Sequence, residues 1–388
     1  MKKSMQDSIY SLSLFHFRNY EELSLNVIPA PVVLTGPNGA GKTNILEAIS
    51  LFCPGRGLRG AKLSDISNAS LRKSPLLWGA SLTLANEVQL STGLEVSVTH
   101  QSGEKRIHKI QHESVKGQNS FTEWLNIIWL TPETDRIFLE SPSIRRKFID
   151  RLVYAEDPLH SERLNRYEHA LKERLHILRQ GGDSLWLSSL EEQLSSLGVA
   201  IAIARKNLMQ RLNQGQDYQH TLFPRFKSQM IGEIDEWVLS DYAINIEDRL
   251  KEEFKKNRLL DKETGTTRIG PHRSDWGVIH YAKETLASSC STGEQKILLV
   301  AIIFSFIQHK VRTDDRLIVL LLDDVIAHLD FHHRVVLFDQ ICALQNNHQK
   351  EYKGSVNTWL TGTDPLLFET LVGQGQFFSV DNAILTPG

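Results

Sequence analysis

The chain has 388 residues, of which 41% are hydrophobic and 23% charged, and its formal net charge is -2. This is the composition of an ordinary globular protein long enough for one large core or two lobes, and it excludes general disorder. The near-neutral balance gives no overall attraction to nucleic acid, so any DNA binding must rest on local patches.

No uninterrupted apolar run approaches the roughly 18 residues that a membrane span needs. Met1-Lys2-Lys3-Ser4-Met5-Gln6-Asp7 lacks the apolar stretch of a signal peptide, which makes the cytoplasm the expected compartment. Cys53, Cys290 and Cys342 are isolated in sequence, without zinc spacing or an even-numbered disulfide framework, and read as buried thiols.

Taken in chain order, Ser11-Leu12-Ser13-Leu14-Phe15-His16-Phe17 and Leu23-Ser24-Leu25-Asn26-Val27 alternate with period two around Arg18-Asn19-Tyr20, which predicts a hairpin with one buried face. Pro31-Val32-Val33-Leu34-Thr35 predicts a third strand directly after it, and helical spacing starts at Asn44 and runs to Leu51. Alternation returns between Ser81 and Leu90 and between Leu94 and His100. From Pro142 to Thr264 helical patterns dominate. Leu190, Leu194, Leu197, Ile201, Ala204 and Leu208 form one helical stripe; Leu164, Tyr167, Leu171, Arg174 and Leu178 form another, and Gln180-Gly181-Gly182-Asp183 is the turn of an antiparallel pair. From about Arg268 the pattern is α/β again. The predicted organisation is therefore an α/β core in two halves, residues 1–140 and 266–388, interrupted by a mostly α-helical insertion lobe at residues 141–265.

Gly36-Pro37-Asn38-Gly39-Ala40-Gly41-Lys42-Thr43 matches the G-x-x-x-x-G-K-[ST] phosphate loop between a predicted strand and a predicted helix. The glycines let backbone N–H groups curl toward a polyphosphate and the following helix offers its positive dipole end. Lys42 reaches the β/γ-phosphates and Thr43 ligates Mg²⁺. The apolar run Leu317-Ile318-Val319-Leu320-Leu321-Leu322 ends in Asp323-Asp324. In an open α/β sheet this delivers two carboxylates beside the loop, Asp323 for Mg²⁺ and Asp324 to orient or deprotonate the attacking water. Cys290-Ser291-Thr292-Gly293-Glu294-Gln295-Lys296 opens a helical pattern, and Ser and Gly at a helix N-terminus suit an anion as well as a plain cap. The segment resembles the ABC signature Ser-x-Gly-Gln, with Glu294 where glutamine is usual. Whether Glu294 or Gln295 faces the site is left open by the sequence.

The whole chain resembles the RecF family, the short-armed relatives of SMC-type ATPases. The resemblance rests on Phe17-Arg18-Asn19-Tyr20, residues 36–44, Leu130-Thr131-Pro132-Glu133, residues 141–150, Gly270-Pro271-His272-Arg273-Ser274-Asp275, and Leu322-Asp323-Asp324 through Leu329-Asp330, all in the family's order. It implies an ABC-type head whose two copies sandwich ATP, with residues 36–44 cradling the nucleotide of one copy and Ser291 and Gly293 of the other contacting its γ-phosphate. It further implies that Glu133 takes the glutamine-loop position, that Thr363 in Thr361-Gly362-Thr363-Asp364 senses the γ-phosphate, and that Asp330 belongs to a loop meeting across the dimer. His328 stands where the family usually has glutamate. The activity implied is a slow Mg-dependent ATPase serving as a timer for binding single-stranded, duplex or gapped DNA, in gap repair, replication and the SOS response. RecO and RecR are the implied partners in loading RecA.

The run Arg145-Arg146-Lys147 with Arg151 reads equally as a solvated helix face or as phosphate contacts to DNA. Arg273 reads as an intramolecular or nucleotide-site residue, and His332-His333 lacks the spacing of a metal site. Two other classes remain. One is the ATPase subunit of a transporter, disfavoured by the size of the helical insertion and the missing switch histidine; the other is an ATPase-coupled nuclease, for whose clustered carboxylates no stretch has room.

Overall fold

The computed structural model describes residues 8–67, 76–96, 104–218, 223–345 and 351–388. They form two compact units. The first holds Met1–Asp135, Tyr218–Phe223 and Phe306–Gly388, the second Arg136–Asp217 and Pro224–Ser305.

In the first unit, β1 (Ile9–Phe17) and β2 (Tyr20–Asn26) make the expected hairpin, with Phe17 opposite Tyr20 across the two-residue turn. Arg18 turns with φ at +55°, a conformation such turns usually reserve for glycine. Its guanidinium grips the buried Glu47 carboxylate through Nε at 2.9 Å and Nη2 at 2.5 Å, which fixes the turn where a lone β-strand pair would be pliable. The hairpin continues through β4 (Leu76–Leu84), β5 (Gln89–Val96), β6 (Glu104–Ile110) and β7 (Glu113–Ser114) into an antiparallel sheet ordered β2-β1-β4-β5-β6-β7. The alternation expected from Ser81 to Leu90 spans two strands: a turn over Ala85, Asn86 and Glu87 separates β4 from β5, with Asn86 Oδ1 accepting from the Val88 N–H at 3.2 Å. The turn keeps the parity of the alternation, so periodicity alone passes through it. Residues 97–100 of the next expected strand lie outside the described residues.

β3 (Val32–Thr35) does not extend the hairpin. It lies in a second sheet ordered β15-β14-β3-β13-β12-β8, with β8 at Leu125–Leu130, β12 at Leu317–Leu322, β13 at Val356–Gly362, β14 at Gln376–Asp381 and β15 at Ile384–Pro387. All but β15 run parallel, and β3, β8, β12 and β13 are buried throughout. Continuous apolar runs, rather than alternation, are what a strand covered on both faces requires. α1 (Lys42–Ser50) follows β3 and buries Ile45, Leu46, Ala48 and Ile49 in a core shared with Phe17, Trp78 and Trp359.

The second unit begins with α2 (Pro142–Tyr154), α3 (His160–Gln180) and α4 (Ser184–Gly215). Gly181 ends α3 in the left-handed region and the Asp183 side chain caps α4, which sets the expected turn between them. β9 (Phe226–Ile231) interrupts the helical stretch and pairs antiparallel with β10 (Asp275–His280), beside β11 (Thr285–Leu286). α5 (Glu233–Ser240), α6 (Ala243–Lys256) and α7 (Arg258–Thr264) lie between β9 and β10 in sequence. Because β10 finds its partner in β9, residues 266–305 group with the helices, whereas the sequence boundary assigned them to the second ATPase half. α8 (Thr292–Thr313) starts in the second unit and ends in the first; α9 (Phe331–Gln345) follows in the first.

Two buried arginines organise the helical unit. Arg174, on the expected α3 stripe, is fully buried and donates to Glu191 at 3.0 Å, to Asp261 at 2.7 Å and to the Phe254 carbonyl at 2.6 Å. Arg205 of α4 forks onto Asp150 of α2 with two bonds of 2.8 Å, and His160 Nε2 lies 2.9 Å from the same carboxylate. Among the described residues no helix is long and apolar enough to cross a membrane.

Burial would raise the Asp150 carboxyl, but Arg205 and His160 outweigh it and hold it at about 2. A depressed folded-state value means stability that is complete above the ordinary carboxylate range and lost as pH falls through about 2. Asp150→Asn leaves Arg205 buried without its counter-charge and should cost about 3–5 kcal/mol near neutral pH. Urea unfolding across a pH series checks this: the gap between wild type and variant should narrow by about 2 kcal/mol as pH falls from about 4 to about 2.

Candidate active site

Within the first unit, the C-terminal ends of four neighbouring parallel strands carry the chemistry, where open α/β sheets place their ligands. β3 runs into residues 36–41 and then α1. Gly36 has φ +143°, and a Cβ there would sit 2.1 Å from the Val380 carbonyl oxygen of β14. Gly41 has φ +120°, and a Cβ would meet Tyr20 Oη at 2.6 Å and Asn19 Nδ2 at 2.8 Å. Neither position tolerates another residue. Asn19 Nδ2 also donates to the Ala40 carbonyl at 3.1 Å, while Asn44 Nδ2 donates to Asn19 Oδ1 at 2.7 Å. The hairpin turn therefore braces the loop from outside, a role that the Phe17-Arg18-Asn19-Tyr20 motif did not disclose as sequence.

Pro37, Asn38 and Gly39 are exposed on the loop, and Ala40 and Lys42 are buried. The Lys42 ammonium donates to the carbonyls of Gly36 at 2.7 Å and Pro37 at 2.9 Å. Burial lowers its pKa, opposed by the negative charges of Asp324 and Asp323. The first-turn amides of α1, those of Lys42 and Thr43 included, are the donors that a helix leaves without an intrahelical partner. Together with the dipole they form a cradle suited to phosphate oxygens.

β12 lies between β13 and β8, so Asp323 emerges flanked on both sides. Its N–H donates to the Leu130 carbonyl at 3.0 Å. Its Oδ1 accepts from Thr43 Oγ1 and from Thr361 Oγ1, each at 2.8 Å, and Thr361 Oγ1 in turn accepts from the Asp324 N–H at 3.0 Å. Burial raises the Asp323 pKa and neighbouring Asp324 adds to the rise, against the two hydroxyl donors. Asp324 stands in the left-handed region at φ +52°, an uncommon conformation held here by its bond to Thr361. The Thr43 hydroxyl and Asp323 carboxylate are the oxygen donors a hard divalent cation takes, so the residues fit Mg²⁺.

Glu133, exposed, follows β8, and Thr363, exposed, follows β13, so both stand at the same sheet edge. Thr361, two residues earlier, is the side chain that touches Asp323, a role that its place in Thr361-Gly362-Thr363-Asp364 does not reveal. A threonine closing a buried strand next to the acidic pair was the available signal. Arg59 is a second unforeseen member, donating to Asn44 Oδ1 at 2.7 Å and Glu47 Oε2 at 3.1 Å.

Ser291 and Gly293 belong to the second unit, exposed at the start of α8. Gln295 is buried, its Nε2 donating to the Cys290 carbonyl at 2.9 Å, so Glu294 is the outward residue of the two. Asp330, exposed, precedes α9 and accepts from the His333 N–H at 3.0 Å. In the basic run, Arg145 is engaged by Asp275 at 2.6 and 2.7 Å and Arg146 by the Ser274 carbonyl at 2.7 Å; Arg151 lies 5.1 Å from the Phe148 ring centroid, and Lys147 is exposed. Arg273 donates to the Thr267 carbonyl at 2.8 Å.

The chain matches the RecF/RecN/SMC N terminal domain family over residues 8–350. It is similar to the DNA replication and repair protein RecF of Allorhizobium ampelinum, 38% identical over 381 residues covering 97% of this chain and 98% of that protein. The RecF protein of Mesorhizobium japonicum is 37% identical over 385 residues, 98% of each chain. Among solved structures it is similar to the recombination mediator protein RecF-ATPrS in the RecFOR pathway, with 21% identity, TM-score 0.82 and 98% of both chains covered. It is also similar to a Pyrococcus furiosus Smc head domain bound to the C-terminal domain of ScpA, with 15% identity, TM-score 0.53 and coverage of 99% and 96%. The α/β head fold is thereby established.

Because Thr361 orients the carboxylate that would hold the metal, Thr361→Val should raise the Mg²⁺ concentration for half-maximal ATP hydrolysis by about 10- to 100-fold, and Thr361→Ser should leave it within about threefold of wild type. A Mg²⁺ titration of the three proteins at saturating ATP makes the comparison.

Proposed function

The chain belongs to the RecF family, and on that premise we propose that it is a cytoplasmic, ATP-switched dimeric clamp on DNA in replication and recombinational repair. The observation that carries the proposal is the meeting of the Thr43 and Thr361 hydroxyls on one oxygen of Asp323, which joins the acidic pair to the first turn of the helix after the phosphate loop. ATP is held by backbone amides of the phosphate loop and the first turn of α1, those of Lys42 and Thr43 among them, and by Lys42, whose ammonium exchanges its bonds to the Gly36 and Pro37 carbonyls for phosphate oxygens. Thr43 and Asp323 would hold the metal. Magnesium, when bound, neutralises charge that builds on the phosphate oxygens. Asp324 orients or deprotonates the attacking water, and Glu133 and Thr363 sense the metal and the γ-phosphate from the adjoining strand ends.

Ser291 and Gly293 of a second copy complete the site, with Asp330 in a loop that meets across the dimer. The association closes a DNA-binding surface, and slow hydrolysis opens it. The clamp reading extends to single-stranded, duplex or gapped DNA and to RecO and RecR in loading RecA. Arg145 and Arg146 are engaged within the second unit, which leaves Lys147 as the exposed cation of that run for a phosphate contact.

Molar mass measured by light scattering with Mg²⁺ tests the reading. ATP, but not ADP, should double the mass of the wild type, gapped duplex DNA should be retained by the dimer, and Ser291→Arg should abolish both effects. A wild type that stays monomeric with ATP, with and without DNA, would leave only a phosphate-loop ATPase.

A further inference from the structure

The start of α8 holds a charge arrangement that the phosphate loop does not account for. Ser291 and Glu294 close a reciprocal capping box: the Ser291 N–H donates to Glu294 Oε2 at 3.0 Å and the Glu294 N–H donates to Ser291 Oγ at 3.4 Å. The remaining carboxylate oxygen, Oε1, accepts from the Lys283 ammonium at 2.5 Å. Lys283 comes from the short turn Tyr281–Lys283 after β10, so a separate element carries it to the signature segment. Space beyond Gly293 is open, since a Cβ there would meet nothing within 4 Å. The outward face of the segment is thus Ser291, Gly293 and the Glu294–Lys283 pair.

A triphosphate arriving at Ser291 would meet a carboxylate already bonded to that residue's backbone, and like charges brought together at an interface oppose association. The Glu294 carboxyl is held down at about 2 by Lys283 and Ser291, so it is ionised at neutral pH. We propose that Lys283 is a positioning residue of the composite ATP site, cancelling the Glu294 charge beside Ser291 so that a nucleoside triphosphate held by a second copy can dock on α8. This rests on the two-copy reading of the site. Lys283 is 49% and Glu294 33% exposed, and exposed pairs add little to folding. Loss of the lysine therefore reads out in association.

The test is light scattering with ATP and Mg²⁺ over a protein concentration series, for wild type, Lys283→Met, Glu294→Gln and the double variant. Glutamine keeps the capping box while removing the charge. Lys283→Met should need about tenfold more protein for half-dimerisation, a change of about 1.4 kcal/mol. The double variant should return to within about twofold of wild type. ATP binding measured at protein concentrations too low for pairing, and the melting temperature, should hold steady in Lys283→Met. If Lys283→Met dimerises like wild type, or if Glu294→Gln fails to rescue it, the role assigned to Lys283 is wrong. A wild type that binds ATP but never dimerises overturns the two-copy site itself, and the role of Lys283 with it.

Discussion

A carboxylate buried at the end of a parallel strand must find donors, and the first unit is arranged around the way Asp323 finds them. One oxygen of Asp323 takes the hydroxyls of Thr43 from the helix after β3 and of Thr361 from β13. The order of the strands serves that requirement: β13 lies between β3 and β12, so Thr361 at its end reaches the acidic pair, while Asp323 reaches Thr43 on the helix that follows β3. Thr361 also holds the backbone of Asp324 in its left-handed conformation. A hydroxyl can rotate and exchange partners, so a site built this way is satisfied on its own and can still give up a donor to a metal ion.

The second unit solves a similar problem by ion pairing. Arg174 and Arg205 are buried and are matched only by carboxylates from other helices, so their pairs with Glu191, Asp261 and Asp150 tie α2, α3, α4 and α7 together. Such pairs contribute less net stability than apolar packing would, but removing one partner is costly, which makes them effective in specifying how helices register. The signature segment then begins from a sheet and a turn anchored to these helices. Its two polar neighbours are sorted by burial: Gln295 holds the Cys290 carbonyl from inside, and Glu294 stays outside with Lys283.

Much of this was legible in the residues. The phosphate loop, the acidic pair after an apolar strand, the hairpin around Arg18 and the α3–α4 pair all come from local patterns that physics ties to a single conformation. What periodicity hid was partnership. Val32–Thr35 reads as the next strand after the hairpin yet joins another sheet, because a run buried on both faces carries no sign of its neighbours. β9 was lost among helices since six residues of mixed burial give a weak alternation, and its partner β10 lies more than forty residues on. The second unit therefore reaches Ser305, well past the boundary drawn at residue 265. Thr361 went without a role because its importance lies in a bond across 38 positions of sequence.

The central claim is that the sheet edge of one copy works with the signature segment of another. It is tested most directly by mixing two variants that each lack one half of the site, Asp324→Asn and Ser291→Ala, the second removing the hydroxyl without blocking the interface, and measuring ATP hydrolysis. In a mixed dimer the Ser291→Ala copy contributes an intact sheet edge and the Asp324→Asn copy an intact signature, so one composite site survives. The account predicts that mixing restores up to roughly a quarter of wild-type turnover, the statistical share of such sites among randomly paired chains. If the mixture stays as inactive as its components, each chain works alone and the composite site is contradicted.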